Sequence, residues 1–343
     1  MNTKVEFLYL SQEDVIAAGG LDMLGTLNAV ETSFRLHSSG QTILPHKPVL
    51  RWGDEASEEM TGRIIAMPAY LGGDLQISGI KWIPSKPDNP TKRGLPRANA
   101  IIILNDPESL MPVAIMDGTL VSAMRTGAAS GVAAKYLALP DSEVLGMVGA
   151  GVQMRTQIMA MKEVLPGLKY GRIYNRSRDK ANRFAEEMSR ELGFEIVPVE
   201  SAEVACKDAD IFITATTSSF PYVRVEWYKP GALHCEISYW DTYVETLAKL
   251  DHIYCDDYNQ VAYHGGVAYR AVRDGLIHRE QVNDLGDMIV GKVLGRTRTK
   301  DRIIFNPIGM GTHDISEAYR VYKNACEKGV GRTLSLWEKP HWW

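Results

Sequence analysis

Val144-Leu-Gly-Met-Val-Gly-Ala-Gly-Val-Gln153 is the stretch on which the reading of this 343-residue chain turns. Its first five residues have the length and apolarity of a buried strand, and Gly149-Ala150-Gly151 interrupts the run before a helical pattern begins at Val152. A first glycine permits a tight turn and a second lets the backbone approach a pyrophosphate. The N–H groups of the following helix then face the phosphate charge. The full G-x-G-x-x-G pattern fails at its last position, where Met154 stands. A lone G-x-G also describes an ordinary glycine-rich turn, so the weight falls on its surroundings.

Those surroundings repeat one theme. Strand-like runs at Tyr170–Tyr174, 195–199, 211–215, 232–237 and His252–Cys255 alternate with helical runs at 152–165, Arg178–Leu192 and 202–207. Such alternation predicts a parallel, doubly wound α/β sheet, which binds ligands at the carboxyl ends of its strands. Gly149, Ala150, Gly151, Val152 and Gln153 are then the pyrophosphate turn, and Thr214 and Thr216 at the end of 211–215 flank the same crevice. After the next strand, at Tyr174-Asn-Arg-Ser-Arg178, a site for NAD(H) normally carries an acidic residue on the ribose 2′-hydroxyl. The chain offers Asn175, Arg176 and Ser177 instead. Guanidinium and hydroxyl groups suit a 2′-phosphate, so NADP(H) is favoured, with NAD(H) possible if no acidic contact is needed.

Outward from this core the texture changes. Ser11, with Asp14 behind it, marks a helix start, and Leu21, Leu24, Leu27, Val30 and Phe34 follow helical spacing. Short apolar runs from Ile43 to Pro112 read as β, broken by a proline-rich loop at 84–96. Residues 119–139 and 314–327 read as helices. The expected organisation is a Rossmann unit over 131–310, inserted in a discontinuous α+β domain made of 1–130 and 311–343.

The formal net charge of −4, with no long basic stripe, speaks against a nucleic-acid partner. Cys206, Cys235, Cys255 and Cys326 form no C-x-x-C pair, so no metal site is expected, and reduced thiols fit a cytoplasmic location. No apolar run is long enough to span a bilayer. The basic segment 291–302 reads as a solvated loop.

Together, Gly149-Ala-Gly-Val-Gln153, Ser122-Ala-Met-Arg-Thr-Gly-Ala-Ala129, Arg63-Ile-Ile-Ala-Met-Pro68, Ile77-Ser-Gly-Ile-Lys-Trp-Ile83, Asn306-Pro-Ile-Gly-Met310 and Asp314-Ile-Ser-Glu-Ala-Tyr319 resemble the ornithine cyclodeaminase/μ-crystallin family over nearly the whole chain. The resemblance implies a homodimer whose discontinuous domain binds a small amino-acid substrate. It carries substrate-binding roles to Lys47, Arg97 and Arg125, catalytic roles to Lys81 and Asp241, and cofactor contacts to Arg125 and Thr126. In cyclodeaminases an Arg is usual where Lys47 stands, so the charge is kept and the bidentate fork lost. Within the family the likeness is greatest to dehydrogenases that release L-2,3-diaminopropionate and 2-oxoglutarate from N-(2-amino-2-carboxyethyl)-L-glutamate.

That substrate carries three carboxylates, which calls for several fixed cations, and Arg51 is a possible addition to the set. A lone Lys or Arg is by default a surface charge. Lys81 differs, because it sits inside an apolar strand where an ammonium needs a partner. A lysine among other cations has a depressed pKa, which suits a base. Asp241 reads equally well as the N-cap of the next helix. His264 and His313 read as structural. Three other readings stay open: an NADPH-dependent imine or ketimine reductase, an ornithine or lysine cyclodeaminase, and a binding protein that keeps the cofactor without turnover.

Overall fold

The computed structural model describes residues 4–53 and 60–342, with only the backbone of Met60. The chain forms two compact units, Met1–Arg125 with Met310–Trp343, and Thr126–Gly309. In the first, β1 (Val5–Leu10) leads into α1 (Gln12–Ala17). The Ser11 hydroxyl accepts from Asp14 N at 3.3 Å while the Asp14 carboxylate accepts from Ser11 N at 3.0 Å, a reciprocal cap that satisfies two otherwise unpaired donors. Then come α2 (Met23–Ser38), β2 (Thr42–Ile43), β3 (Val49–Gly53), β4 (Met60–Leu71) and β5 (Ile77–Ser85). The proline-rich segment holds a single helical turn, α3 (Asn89–Lys92), with Pro90 in its first turn where a missing N–H does no harm. β6 (Ile101–Asn105) and β7 (Pro112–Asp117) follow, and α4 (Thr119–Leu137) contains the boundary between the units.

The second unit alternates strand and helix. It contains β8 (Val144–Val148), α5 (Val152–Val164), β9 (Tyr170–Tyr174), α6 (Arg178–Leu192), β10 (Glu195–Pro198), α7 (Ala202–Cys206), β11 (Ile211–Thr214) and β12 (Leu233–Glu236). It ends with α8 (Val244–Leu247), β13 (His252–Cys255), α9 (Tyr258–His264), α10 (Val267–Arg273), β14 (Val282–Asp284), α11 (Leu285–Ile289) and β15 (Ile303–Phe305). Its sheet runs β10-β9-β8-β11-β12-β15-β13-β14 and every pairing is parallel. This is the Rossmann arrangement expected from the alternation. Strand order reverses between β8 and β11, which opens a crevice at their carboxyl ends. The central strand β11 is buried along its whole length, as a strand covered on both faces requires.

The basic segment 291–302 is a largely exposed loop, as its charge suggests, but it is pinned at several points. Arg296 donates to the carbonyls of Leu137 at 2.8 Å, Gly231 at 2.9 Å and also Asp301, and Arg298 bridges Asp251 and Asp301. These guanidiniums are spent on backbone oxygens, the buried Asp301 and the part-exposed Asp251, so the segment clasps its own unit.

The chain then returns to the first unit through α12 (Gly311–Lys328) and β16 (Arg332–Trp337). Gly329, at φ 64°, closes the helix with a left-handed cap. β16 pairs antiparallel with β1. It is an exposed edge strand without a buried face, and so lacks the apolar signal that marks inner strands. The first sheet runs β16-β1-β7-β6-β5-β4-β2, with β3 also on β4, antiparallel except for β1 on β7. Leu10, Ile102, Leu104 and Met116 on its inner face meet Ile315, Ala318 and Val321 of α12, each of the larger side chains contributing about 1.5–3 kcal/mol on burial. No helix among the described residues is long and apolar enough to cross a membrane.

Candidate functional site

In the first unit, Lys81 is placed by strand register. It stands between Met67 of β4 and Ile102 of β6, both buried, so its side chain enters the inner face of the sheet and is 1% exposed. An ammonium there needs a counter-ion, and the structure supplies Asp314 from the first turn of α12. Lys81 Nζ donates to Asp314 Oδ1 at 2.8 Å and to Ser122 Oγ at 3.1 Å. Arg125 Nε reaches the same Oδ1 at 2.8 Å, while Asp314 Oδ2 has no hydrogen-bond partner among the described residues.

Lys47 is also buried and lies close enough for its charge to act on Lys81. Two buried cations, Lys81 and Arg125, thus share one oxygen of a buried carboxylate, with the charge of Lys47 near by. The Lys81 ammonium is pushed down to about 7, first by burial, then by Arg125 and, more weakly, Lys47, against the opposing pull of Asp314. His313 next to Asp314 is fully buried, packs edge-on to Phe34 at 4.4 Å and has no hydrogen-bond partner on either ring nitrogen among the described residues. Burial, then the charges of Arg125, His37, Lys81 and Lys47, hold it neutral. Lys47, Lys81 and Arg125 are therefore brought together. Arg97 stands elsewhere in the unit, its guanidinium held below the usual range by loss of hydration and by Arg63.

Asp314 was not among the residues singled out from the sequence. At the start of an amphipathic helix an acidic residue reads as a favourable first-turn charge. The signal that points to it is the buried Lys81 itself, which demands a buried acid somewhere in the chain.

In the second unit, the turn after β8 has the shape a dinucleotide requires. Gly149 adopts φ +103°, and a side chain there would come within 2.5 Å of the Ala215 carbonyl. Gly151 is the N-cap of α5 with no side-chain cap, and a side chain on it would meet nothing within 4 Å. Open space before uncapped helical N–H groups fits a diphosphate. The turn is tied to β9 by Gly149 N donating to Tyr174 O at 2.9 Å and Ala150 N donating to Asn175 Oδ1 at 3.3 Å.

Val152 is exposed at the helix start, and Gln153 Oε1 is a buried acceptor without a partner among the described residues. Thr126 accepts from Gln157 Nε2 through its carbonyl at 3.0 Å. Arg176 is exposed, and Ser177 caps α6. The Thr214 hydroxyl is buried against His234 Nε2 at 3.0 Å, whereas Thr216 lies at the strand end.

Asp241 follows β12 and is fully buried. It is not a helix N-cap, since Tyr243 occupies that position for α8. Its carboxylate accepts from Thr216 Oγ1 at 2.7 Å and from the Ser238 hydroxyl. Its N–H donates to Glu236 Oε1 at 2.6 Å. Glu236, buried beside this second carboxylate, is raised to about 8, by burial first and then by the Asp241 charge.

Residues 8–329 match the model of the ornithine cyclodeaminase/mu-crystallin family. The chain is 35% identical over 336 residues to N-((2S)-2-amino-2-carboxyethyl)-L-glutamate dehydrogenase of Staphylococcus aureus, spanning 97% of this chain and 99% of that protein. Its fold is similar to Thermococcus litoralis Delta(1)-pyrroline-2-carboxylate reductase solved with NADH and L-proline, with TM-score 0.87, 34% identity, and 95% and 99% of the two chains covered. It is also similar to an archaeal alanine dehydrogenase dimer with bound NAD, with TM-score 0.85, 34% identity, and 97% and 100% covered. With a family model spanning most of its length and relatives alike from end to end, the chain belongs to the ornithine cyclodeaminase/mu-crystallin family.

Proposed function

We propose that the protein is a nicotinamide-dependent dehydrogenase that oxidises the CH–NH group of an amino-acid-derived secondary amine. Its substrate in this reading is N-(2-amino-2-carboxyethyl)-L-glutamate, cleaved to L-2,3-diaminopropionate and 2-oxoglutarate. The observation that carries it is the buried cluster in which Lys81 and Arg125 share one oxygen of Asp314 with Lys47 close by, a concentration of positive charge that suits an anionic amino acid. The 35% identical dehydrogenase supports the choice of substrate.

A bound nicotinamide supplies the hydride acceptor. Arg125 and Lys47 clamp a carboxylate, which fixes the reacting carbon. Lys81, neutral in part near pH 7, takes the proton from the amine nitrogen. Oxidation leaves a C=N bond. Water adds to it and the C–N bond breaks, so the carbonyl product keeps the water oxygen and the amine product keeps the nitrogen. Asp241, held by Thr216 and Ser238, handles the proton of that water.

The decisive assay mixes the protein with either cofactor and a panel of substrates. Net nicotinamide reduction with the carboxyethyl-glutamate is expected. Ammonia release from ornithine or lysine without net reduction would instead assign a cyclodeaminase.

For the cofactor, Arg176 supports NADP(H), since no acidic side chain stands at this strand end. Arg176→Ala is expected to weaken NADP(H) about tenfold, the worth of one charged hydrogen bond, and NAD(H) hardly at all, as read by fluorescence titration. Equal losses would leave the 2′-phosphate without a contact here.

The homodimer has its own support. On the outer face of the first sheet, Trp82 stands opposite Ile101, and Leu50 opposite Ile64, with Trp82, Ile101, Leu50, Trp52 and Tyr9 all exposed. A patch of this kind marks an interface, and a second copy covers it in this reading. Trp82→Glu with Ile101→Glu is expected to yield a monomer in analytical ultracentrifugation, whereas an unchanged mass moves the interface elsewhere.

A further inference from the structure

In the second unit, an acid that the chemistry above does not use stands beside Asp241. Glu236 ends β12, opposite Thr214 of the central strand β11, and is fully buried. One of its carboxyl oxygens, Oε1, accepts from two successive backbone donors, Asp241 N at 2.6 Å and Thr242 N at 3.2 Å. The side chain thus closes the turn 237–242 onto the strand that leads into it. Asn306, just after β15, ties the same turn by donating to Glu236 O at 3.2 Å and Ser238 O at 3.4 Å. Tyr222 N and Val223 N donate to the Asp241 carbonyl at 2.7 and 2.9 Å. Asp241 is gripped through its N–H by Glu236 and through its C=O by 222–223.

The two acids are offered different partners. The Asp241 carboxylate receives a hydroxyl on each oxygen, from Thr216 and from Ser238, and such bonds favour its charged form. Glu236 has donors on Oε1 alone. Its Oε2 is buried without a hydrogen-bond partner among the described residues, although the Thr242 hydroxyl is near enough to act on it. The charge that acts on Glu236 is the negative one of Asp241. The titratable group on its other side, Tyr228, is also an acid, kept in its hydroxyl form by burial and by the Glu236 charge, and it meets the neutral, buried His234 at 2.7 Å. Two neighbouring buried acids cannot both ionise cheaply. Burial first, then Asp241, lifts the Glu236 carboxyl to about 8, against the weaker pull of Thr242 and the two N–H groups.

We propose that Glu236 is a positioning residue that keeps its proton at neutral pH: as a neutral acid it holds the N–H groups of Asp241 and Thr242, and it leaves the single negative charge of the pair on Asp241. The inference rests on the reading of Asp241 as the group that takes the proton of the attacking water, since a base must be free of its own proton. An ionised Glu236 would repel that charge, and a missing one would release the turn.

The test uses two substitutions. Glu236→Gln keeps the acceptor oxygen and replaces O–H by N–H, and so imitates the neutral acid; Glu236→Leu removes both. The infrared difference between wild type and Glu236→Gln is expected to contain a carboxylic-acid C=O band at neutral pH, lost as pH rises through about 8. With Asp241→Asn in both proteins the band should vanish at lower pH, because the charge that raises Glu236 is gone. A glutamate whose folded pKa lies above its unfolded value binds more protons when folded, so its contribution to stability falls with pH between the ordinary 4.5 and about 8. The Tm of wild type should therefore fall relative to that of Glu236→Gln across this window and run parallel above it. Amide exchange in 237–243 should quicken about tenfold in Glu236→Leu, the worth of one hydrogen bond, and far less in Glu236→Gln. Glu236→Leu should lower kcat by about a hundredfold, the cost of a base misplaced by about 1 Å, with KM little changed, and Glu236→Gln should restore most of that loss.

If no substrate is turned over while the acid band, the melting curves and the exchange pattern behave as expected, the proposed reaction fails and the positioning role stands. If Glu236→Leu does not fold, the infrared and melting comparisons with Glu236→Gln still decide. A neutral-pH spectrum in which Glu236→Gln removes a carboxylate band instead of an acid band, or a turn that exchanges as slowly in Glu236→Leu as in wild type, overturns the proposal.

Discussion

Lys81→Met is expected to lower kcat by about a hundred- to ten-thousandfold, the range of a lost general base. The fold should survive, because methionine has a similar volume and Arg125 still neutralises Asp314 at 2.8 Å. Steady-state kinetics at saturating substrate, with a thermal melt of the same sample, separates the two effects. A fall in activity that merely follows a fall in folded fraction would remove Lys81 from the chemistry.

The pH profile adds a signed expectation. With its ammonium pushed down to about 7, Lys81 becomes the required free amine as pH rises through that value, so kcat should rise with pH and level off above it. Arg125 pushes this group down. Arg125→Met should therefore move the limb to higher pH, along with weaker substrate binding.

Asp314→Asn is expected to strike the fold first. Its Oδ1 accepts from both Lys81 and Arg125 with no exposure to solvent. Removing the anion strands two buried cations, at a cost of about 3–5 kcal/mol. For a unit of this size that is a loss of about 10 °C in Tm, readable by calorimetry.

Asp314 holds the Lys81 pKa up, so its loss lets the lysine shed its proton at lower pH. A lysine whose folded pKa lies below its unfolded value binds fewer protons when folded, and stability rises with pH between the two values. In wild type that window runs upward from about 7 to the ordinary 10.5; in Asp314→Asn it should begin lower. A Tm unaffected by the substitution would mean that the pair is held by something other than its charge.

The sequence made the second unit far more legible than the first site. Tyr170–Tyr174 and Arg178–Leu192 emerge with the bounds read from periodicity, because a parallel sheet buries whole apolar runs and Ser177 and Gly193 punctuate the helix between them. Lys81 stood out as a charge in an apolar strand. Its partner did not, because Asp314 lies 233 residues away and only the antiparallel sheet with the returning α12 brings the two together. β16 escaped for want of a buried face, and the clasp of 291–302 because charge alone does not say whether a guanidinium meets water or a carbonyl. Register was equally hidden: that Arg51, Arg63 and Lys81 share a face follows only once β3, β4 and β5 are paired.

The most direct test of the central claim uses N-(2-amino-2-carboxyethyl)-L-glutamate deuterated at the glutamate α-carbon, incubated with the protein and oxidised cofactor. The account predicts that the label appears on the reduced nicotinamide, with 2-oxoglutarate and 2,3-diaminopropionate formed in equal amounts. Label retained on the amino acid, or ammonia released without net cofactor reduction, would contradict it.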